Sequence, residues 1–251
     1  MSTSMEAIER DISHRPWPLP AGPWGMAQIW HDLLFAHWPV SAAALRPLVP
    51  APLAIDEFDG SAWLAVVPFR MSGVRLRGRP ALPWLSAFAE LNVRTYVLYG
   101  GKPGVSFFSL DAANPLALSI ARAWFHLPYF RARMKCEERG GSIAYESQRT
   151  HAGAPAAALH CRYRPVGSPF SPQPGSLEHF LTERYCLYAV DGSGRLIRGE
   201  IHHPPWALQR AEAEFECNTM AEPLGVPLRD QPLLHFAKRQ DVVVWQPQRL
   251  A

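Results

Sequence analysis

The sequence predicts a mainly β chain of the α+β class, a barrel or wrapped sheet with a few helices packed outside it. Three observations lead there: runs of aromatic and β-branched residues recur along the whole length, Gly-Gly, Asp-Gly and proline-rich turn signals separate them, and few segments carry helical caps. With 48% hydrophobic, 11% aromatic and only 19% charged residues, the chain has the material for a large core. Its 251 residues allow two small domains, yet all-β folds of this size commonly form one. Residues 16–251 are therefore expected to make a single domain behind residues 1–15, a loose N-terminal arm or short leading helix.

Pro16 to Pro23 cannot be helical, because proline removes donors and extends the residue before it. Trp24 to Trp38 is rich in aromatic and aliphatic side chains without helical spacing, which predicts a long, buried strand. Ser41 supplies an N-cap for a short helix that Pro50 and Pro52 stop. Strands are expected at Leu53–Ile55 and Ser61–Val74, split by the Asp59-Gly60 turn. From Ala87 to Tyr99 the residues alternate: Glu90, Asn92, Arg94 and Tyr96 share one face, and Leu91, Val93, Thr95 and Val97 the other. Gly100-Gly101 turns the chain into a strand at Val105–Leu110. Asn114-Pro115 caps the main helix, Leu116–Phe125, which Pro128 follows. Further strands are expected at Tyr129–Cys136, Ser142–Arg149, Ala156–Tyr163, Tyr185–Val190, Leu196–His202, Ala207–Cys217 and Asp241–Trp245. A proline-rich loop from Pro165 to Pro174 and a short helix at Ser176–Glu183 lie between them.

Several function classes are excluded. The net charge of +3 is modest and the basic residues are scattered, so there is no footprint for nucleic acid. Arg70, Arg75, Arg77 and Arg79 come nearest to a cluster and read as a solvated hairpin face. No apolar run approaches the roughly 18 residues that span a bilayer, so no membrane partner is expected. Cys136, Cys161, Cys186 and Cys217 form no C-x-x-C pair and follow no signal peptide, which predicts reduced thiols and a cytoplasmic location. Neither G-x-x-x-x-G-K nor G-x-G-x-x-G occurs, nor the G-x-S-x-G elbow of serine hydrolases. His31 and His37 would stand ~20 Å apart in a regular strand and cannot share a metal. His202 and His203, being adjacent, point to opposite faces. No metal or cofactor is expected.

Glu90 with Arg94, and Glu183 with Arg184, put charges into apolar settings. Burying charge is costly unless the charges pair or serve a ligand, so each set is either a structural ion pair or the floor of a pocket.

Gly22-Pro-Trp24, the run Leu45 to Glu57 and Ala121-Arg122 ahead of Pro128 resemble the acetoacetate decarboxylase superfamily. The finer pattern of Ala36-His-Trp-Pro39, Phe88 to Val97, Phe107 to Asp111 and Leu127-Pro-Tyr129 is similar to the YqjF-like family of unknown function (domain of unknown function 2071) within it, over residues 16–246. The resemblance implies a cone-shaped β-barrel whose interior holds the pocket, with a long helix outside. Decarboxylases carry two consecutive lysines after this helix, one of which forms a Schiff base while its neighbour depresses its pKa. The matching positions here are Tyr129 and Phe130, and neither can form an imine. The chain has only Lys102, Lys135 and Lys238, of which Lys135 shares the strand face of Tyr129 if that strand is regular. Gln28, Ile29 and Trp30 stand where a decarboxylase arginine would receive the substrate carboxylate, and Glu90 matches the pocket glutamate.

The resulting expectation is a pocket with Glu90, Tyr129 and Arg94 as catalytic candidates and His37, Trp38, Arg122 and Glu183 as ligand-binding ones. Glu90 would act as general acid or base with a pKa raised by burial, and Tyr129 or Arg94 would stabilise an oxyanion or enolate. The expected partner is a small organic metabolite of carbonyl or carboxylate type, and a homo-oligomer is compatible with the sequence. Two alternatives stand beside an acid/base enzyme: a non-catalytic carrier or sensor of a hydrophobic metabolite, and a decarboxylase using Lys135.

Overall fold

Hairpin turns and period-two runs fold into thirteen strands of one sheet in the computed structural model, which describes residues 8–81, 87–114 and 126–250. The first strands are β1 (Met26–Val40), β2 (Ala54–Ile55), β3 (Ala62–Leu76), β4 (Phe88–Tyr99) and β5 (Lys102–Ala112). After them come β6 (Tyr129–Arg139), β7 (Ser142–Arg149), β8 (Ala158–Phe170), β9 (Cys186–Val190) and β10 (Leu196–His202). The last are β11 (Leu208–Asn218), β12 (Leu233–Val244) and β13 (Gln248–Arg249).

The strand order is β13-β10-β9-β5-β6-β7-β8-β11-β12-β1-β3-β4-β2, and extra pairings of β4 with β5 and β10 with β12 bring the ladder back on itself. β5 runs parallel to β6 and β9, and the other pairings are antiparallel. Gly104 allows the β5–β9 approach, since a Cβ there would sit 2.7 Å from the Cys186 carbonyl oxygen.

The helices among the described residues are short: α1 (Ala42–Leu45), which continues into a 3-10 turn at Arg46–Leu48, α2 (Leu177–Thr182) and a second 3-10 turn at Glu222–Leu224. Ser176 caps α2, its hydroxyl accepting the His179 N–H at 3.2 Å, whereas Ser41 makes no side-chain cap to α1. The long helix expected at Leu116–Phe125 lies outside the described residues.

Three expectations need correction. β8 continues through Pro165 to Phe170, where a loop was expected, because Val166 and Pro165 pair with Arg210 and Ala211 of β11. β12 begins at Leu233 rather than Asp241, because its polar middle, Lys238-Arg239-Gln240, interrupts the apolar pattern without breaking the pairing to β1. Residues 8–15 are anchored rather than loose. Ile8 is buried among Trp24, Ala27, Val243 and Trp245, and the Arg15 guanidinium donates to Glu200 Oε2 at 2.7 Å and to the Ile201 carbonyl at 2.5 Å.

The two faces of β3 and β4 serve different ends. Leu64, Val66, Leu91 and Val93 pack into the main core with Leu34, Tyr145 and Leu159, each large apolar side chain contributing about 1.5–3 kcal/mol. The opposite face carries Phe69 beside Glu90, Val67 beside Asn92 and Ala65 beside Arg94. A register shift between Val93 and Arg94, where β4 pairs with β5, sits at the end of that row.

Candidate functional site

The row Glu90, Asn92 and Arg94 lines a cavity of about 120 Å³. Alternation along β4 aims all three side chains the same way. Apolar side chains make most of the wall: Trp30 and Phe35 from β1, Phe69 from β3, Leu110 from β5, Leu187 from β9, and Trp206 ahead of β11. Tyr129, the first residue of β6, and Arg184 after α2 complete the polar part, together with His203.

Glu90 is 3% exposed, and its Oε2 accepts the Tyr129 hydroxyl at 3.1 Å. Burial pushes its carboxyl pKa up to about 8, against the opposing effect of the Tyr129 hydrogen bond. At neutral pH this side chain therefore holds its proton. Burial and the neighbouring Glu90 also drive the Tyr129 phenol well above its usual range, so it stays a donor. Asn92 is 5% exposed and its Oδ1 has no hydrogen-bond partner.

Arg94 lies with its guanidinium carbon 5.5 Å from the centre of the Phe35 ring and 5.9 Å from that of Tyr96. Its buried Nε has no hydrogen-bond partner. Arg94 as a whole is partly buried, and the arginines with buried side chains are paired: Arg15 with Glu200 at 2.7 Å, Arg149 with Asp111 at 2.7 Å, and Arg184 with Asp56 at 2.6 Å.

Of the residues expected at the site, the structure brings Glu90, Tyr129 and Arg94 together. His37 is fully buried beside the cavity rather than lining it; its Nε2 meets the Tyr96 hydroxyl at 2.7 Å, and burial and Arg94 hold the ring well below its usual pKa. Trp38, one residue on, faces the other way into the main core against Phe215. Glu183 does not line the cavity either. Its carboxylate accepts the Tyr185 hydroxyl and, at 3.0 Å, the Trp206 backbone N–H, and so it fixes the loop that carries a wall residue. Arg122 lies outside the described residues.

None of the three lysines lines the cavity. Lys135 is more than half exposed and pairs with Glu137 at 3.0 Å, because the β6 face that starts at Tyr129 turns outward at Arg131, Arg133 and Lys135. Lys102 meets Glu200 at 3.5 Å, and Lys238 meets Asp32 at 2.8 Å. Gln28 and Trp30 do line the cavity, with the indole N–H donating to Gln28 Oε1 at 2.8 Å.

Sequence reasoning did not select Asn92, Arg184, His203 or Trp206. Asn92 carried a signal, since it stands between the two chosen residues on the same face of β4. Arg184 was read only as part of a charged set with Glu183, whereas its ion-pair partner is the remote Asp56, and the places of His203 and Trp206 likewise depend on pairings remote in sequence.

With that geometry in hand, comparison with known proteins is informative. Residues 27–241 match the family described as "Uncharacterized conserved protein", DUF2071. The chain is 49% identical over 228 residues to the uncharacterized protein YqjF of Bacillus subtilis, covering 90% of this chain and 93% of that one. An acetoacetate decarboxylase structure superposes with a TM-score of 0.62 at 15% identity, over 92% of this chain and 91% of the other. The acetoacetate decarboxylase of Legionella pneumophila gives 0.60 at 14% identity, over 100% and 98%. The enduracididine biosynthesis enzyme MppR complexed with pyruvate gives 0.61 at 11% identity, over 94% and 93%. The shared fold is that of acetoacetate decarboxylase.

Proposed function

Because this chain belongs to the DUF2071 family of uncharacterized conserved proteins and has the fold of acetoacetate decarboxylase, we propose that its cavity binds a small organic metabolite and transfers protons to or from it without a Schiff base. One observation carries the reading: a buried, protonated Glu90 bonded to Tyr129 in an apolar cavity that no lysine reaches. With a pKa of about 8, Glu90 gives up and recovers a proton near neutral pH at little cost, which is what a general acid or base requires. When a ligand enters, the Tyr129 hydroxyl turns the hydrogen it donates to Glu90 toward an oxygen on which negative charge develops.

The mostly apolar walls leave both groups buried, Glu90 at 3% and Tyr129 at 8% exposed. Hydration, dehydration, isomerisation or hydrolysis suits such a pair. A structural neighbour holding pyruvate supports the idea that this fold accommodates small carbonyl compounds. No helix among the described residues is long and apolar enough to cross a membrane, and the four free cysteines support a reducing, cytoplasmic setting.

Glu90→Gln tests the reading. With a metabolite library as substrate, turnover should fall at least a hundredfold while binding to the cavity persists. Altered affinity with no turnover in either protein would instead make it a carrier or sensor.

A further inference from the structure

Arg94 differs from the arginines with buried side chains among the described residues in having no acid beside it. Its Nε is buried and lacks a partner, no carboxylate among the described residues lies within ion-pair distance, and it faces a cavity whose other walls are mostly apolar. Elsewhere the fold gives each deeply buried guanidinium an acid of its own. The residues outside the description contain a single acidic side chain, Glu6. The titratable groups beside Arg94 are His37 and Tyr96, and both are neutral at neutral pH. Arg184, also at the cavity wall, is already neutralised by Asp56. A partly buried guanidinium that faces an apolar cavity without a counterion is a ready receptor for a ligand anion.

A second observation, independent of charge, points to the same place. Asn92, on the same face of β4 and between Arg94 and Glu90, is 95% buried, and its Oδ1 has no partner although the residue lines the cavity. The row thus reads donor acid, orphan amide, orphan cation, at successive inward positions about 6.6 Å apart along the strand. Polar groups left unsatisfied in this way are costly unless something bonds to them.

We infer that the cavity is built for a small carboxylate: its carboxyl group sits against the Arg94 guanidinium, a keto or hydroxyl oxygen meets Glu90 and Tyr129, and the Asn92 Oδ1 accepts from any hydroxyl that the ligand carries between them. This rests on the proposed role of the cavity and adds the class of ligand. A volume of about 120 Å³ is below the ~150 Å³ that takes a benzene ring, which limits the acid to roughly three to five carbons with a keto or hydroxyl group. Guanidinium suits this task because its parallel N–H donors match both carboxylate oxygens.

Nuclear magnetic resonance on the full chain tests the inference, following the arginine side-chain N–H signals and the methyl groups of Val67 and Leu110. The probes are acetate, pyruvate and 3-hydroxybutyrate, each titrated against its own primary amide. The carboxylates should bind at least tenfold tighter than the amides and shift the Arg94 Nε–H signal. Arg94→Gln should erase that preference, and Arg94→Lys should restore part of it, while both variants keep the backbone spectrum of the folded chain. Amides that bind as tightly as acids and shift the Val67 and Leu110 methyls would overturn the carboxylate assignment and leave the cavity as a binding site. A preference that survives in Arg94→Gln would likewise remove Arg94 from it. No shift at those methyls with any probe would overturn both readings.

Discussion

The Tyr129 hydroxyl donates to the Glu90 carboxyl across 3.1 Å, joining the first residue of β6 to the third residue of β4 inside an apolar cavity. This pair, a phenol bonded to a buried acid, is what the proposed proton transfer rests on.

Glu90 should make stability fall with rising pH. Its carboxyl pKa is raised from 4.5 to about 8, so the folded state holds a proton that the unfolded state releases once pH exceeds 4.5. Its favourable contribution is complete below pH 4.5 and is lost as pH climbs to about 8. On the linkage slope the loss is on the order of 5 kcal/mol. Glu90→Gln should flatten this part of the Tm-against-pH curve between pH 5 and 9. An unchanged slope would mean that Glu90 is ionised in the folded protein.

Tyr129→Phe removes a donor that holds the Glu90 pKa down. The Glu90 titration, followed by carbon-13 resonance of its carboxyl, should move further upward, with a stability cost of about 1 kcal/mol. A downward shift would contradict the assigned hydrogen bond.

Arg184→Met leaves Asp56 without its buried cation; the pair is 2.6 Å long, with side chains 6% and 21% exposed. Breaking a buried pair costs about 3–5 kcal/mol, and the partial exposure of Asp56 sets the expectation near 3. Denaturant unfolding measures it, and a loss under 1 kcal/mol would show that solvent screens the pair.

Trp38→Ala should cost about 3–5 kcal/mol, because the indole is 4% exposed in the main core. Since the side chain faces away from the cavity, affinity for any cavity ligand should stay within twofold of the parent protein. A selective loss of affinity would return Trp38 to the binding site.

The part of the site on β4 was legible because period-two alternation needs no tertiary information: naming Glu90 and Arg94 as one face also named Asn92. The same rule shows why His37 and Trp38 could not both reach one pocket, since neighbours in a strand point oppositely. In the event neither lines the cavity, because the Tyr96 hydroxyl takes His37 and the core takes Trp38. Lys135 was a parity argument too, and it failed where β6 leaves the cavity after its first residue. Glu183 was read as a pocket charge because its hydrogen-bond partner at Trp206, 23 residues on, is set by tertiary structure. Most strands were visible from their composition. The exceptions, the start of β12 and the end of β8, are polar or proline-bearing stretches held by neighbouring strands rather than by their own propensity.

The way the ladder ends has a consequence for association between chains. Its terminal strands, β2 and β13, are two residues each, yet two inner strands leave one side largely unpaired: β6 meets β5 only at Tyr129, Phe130 and Arg131, and β11 meets β12 only at Gln209 and Arg210. Beyond those points each has a single strand partner among the described residues, β7 for β6 and β8 for β11. Open rows of this kind recruit strands from other molecules, and charge guards against it; Arg133, Lys135, Glu137 and Glu138 on β6 and Glu212, Glu214 and Glu216 on β11 place charge along both margins.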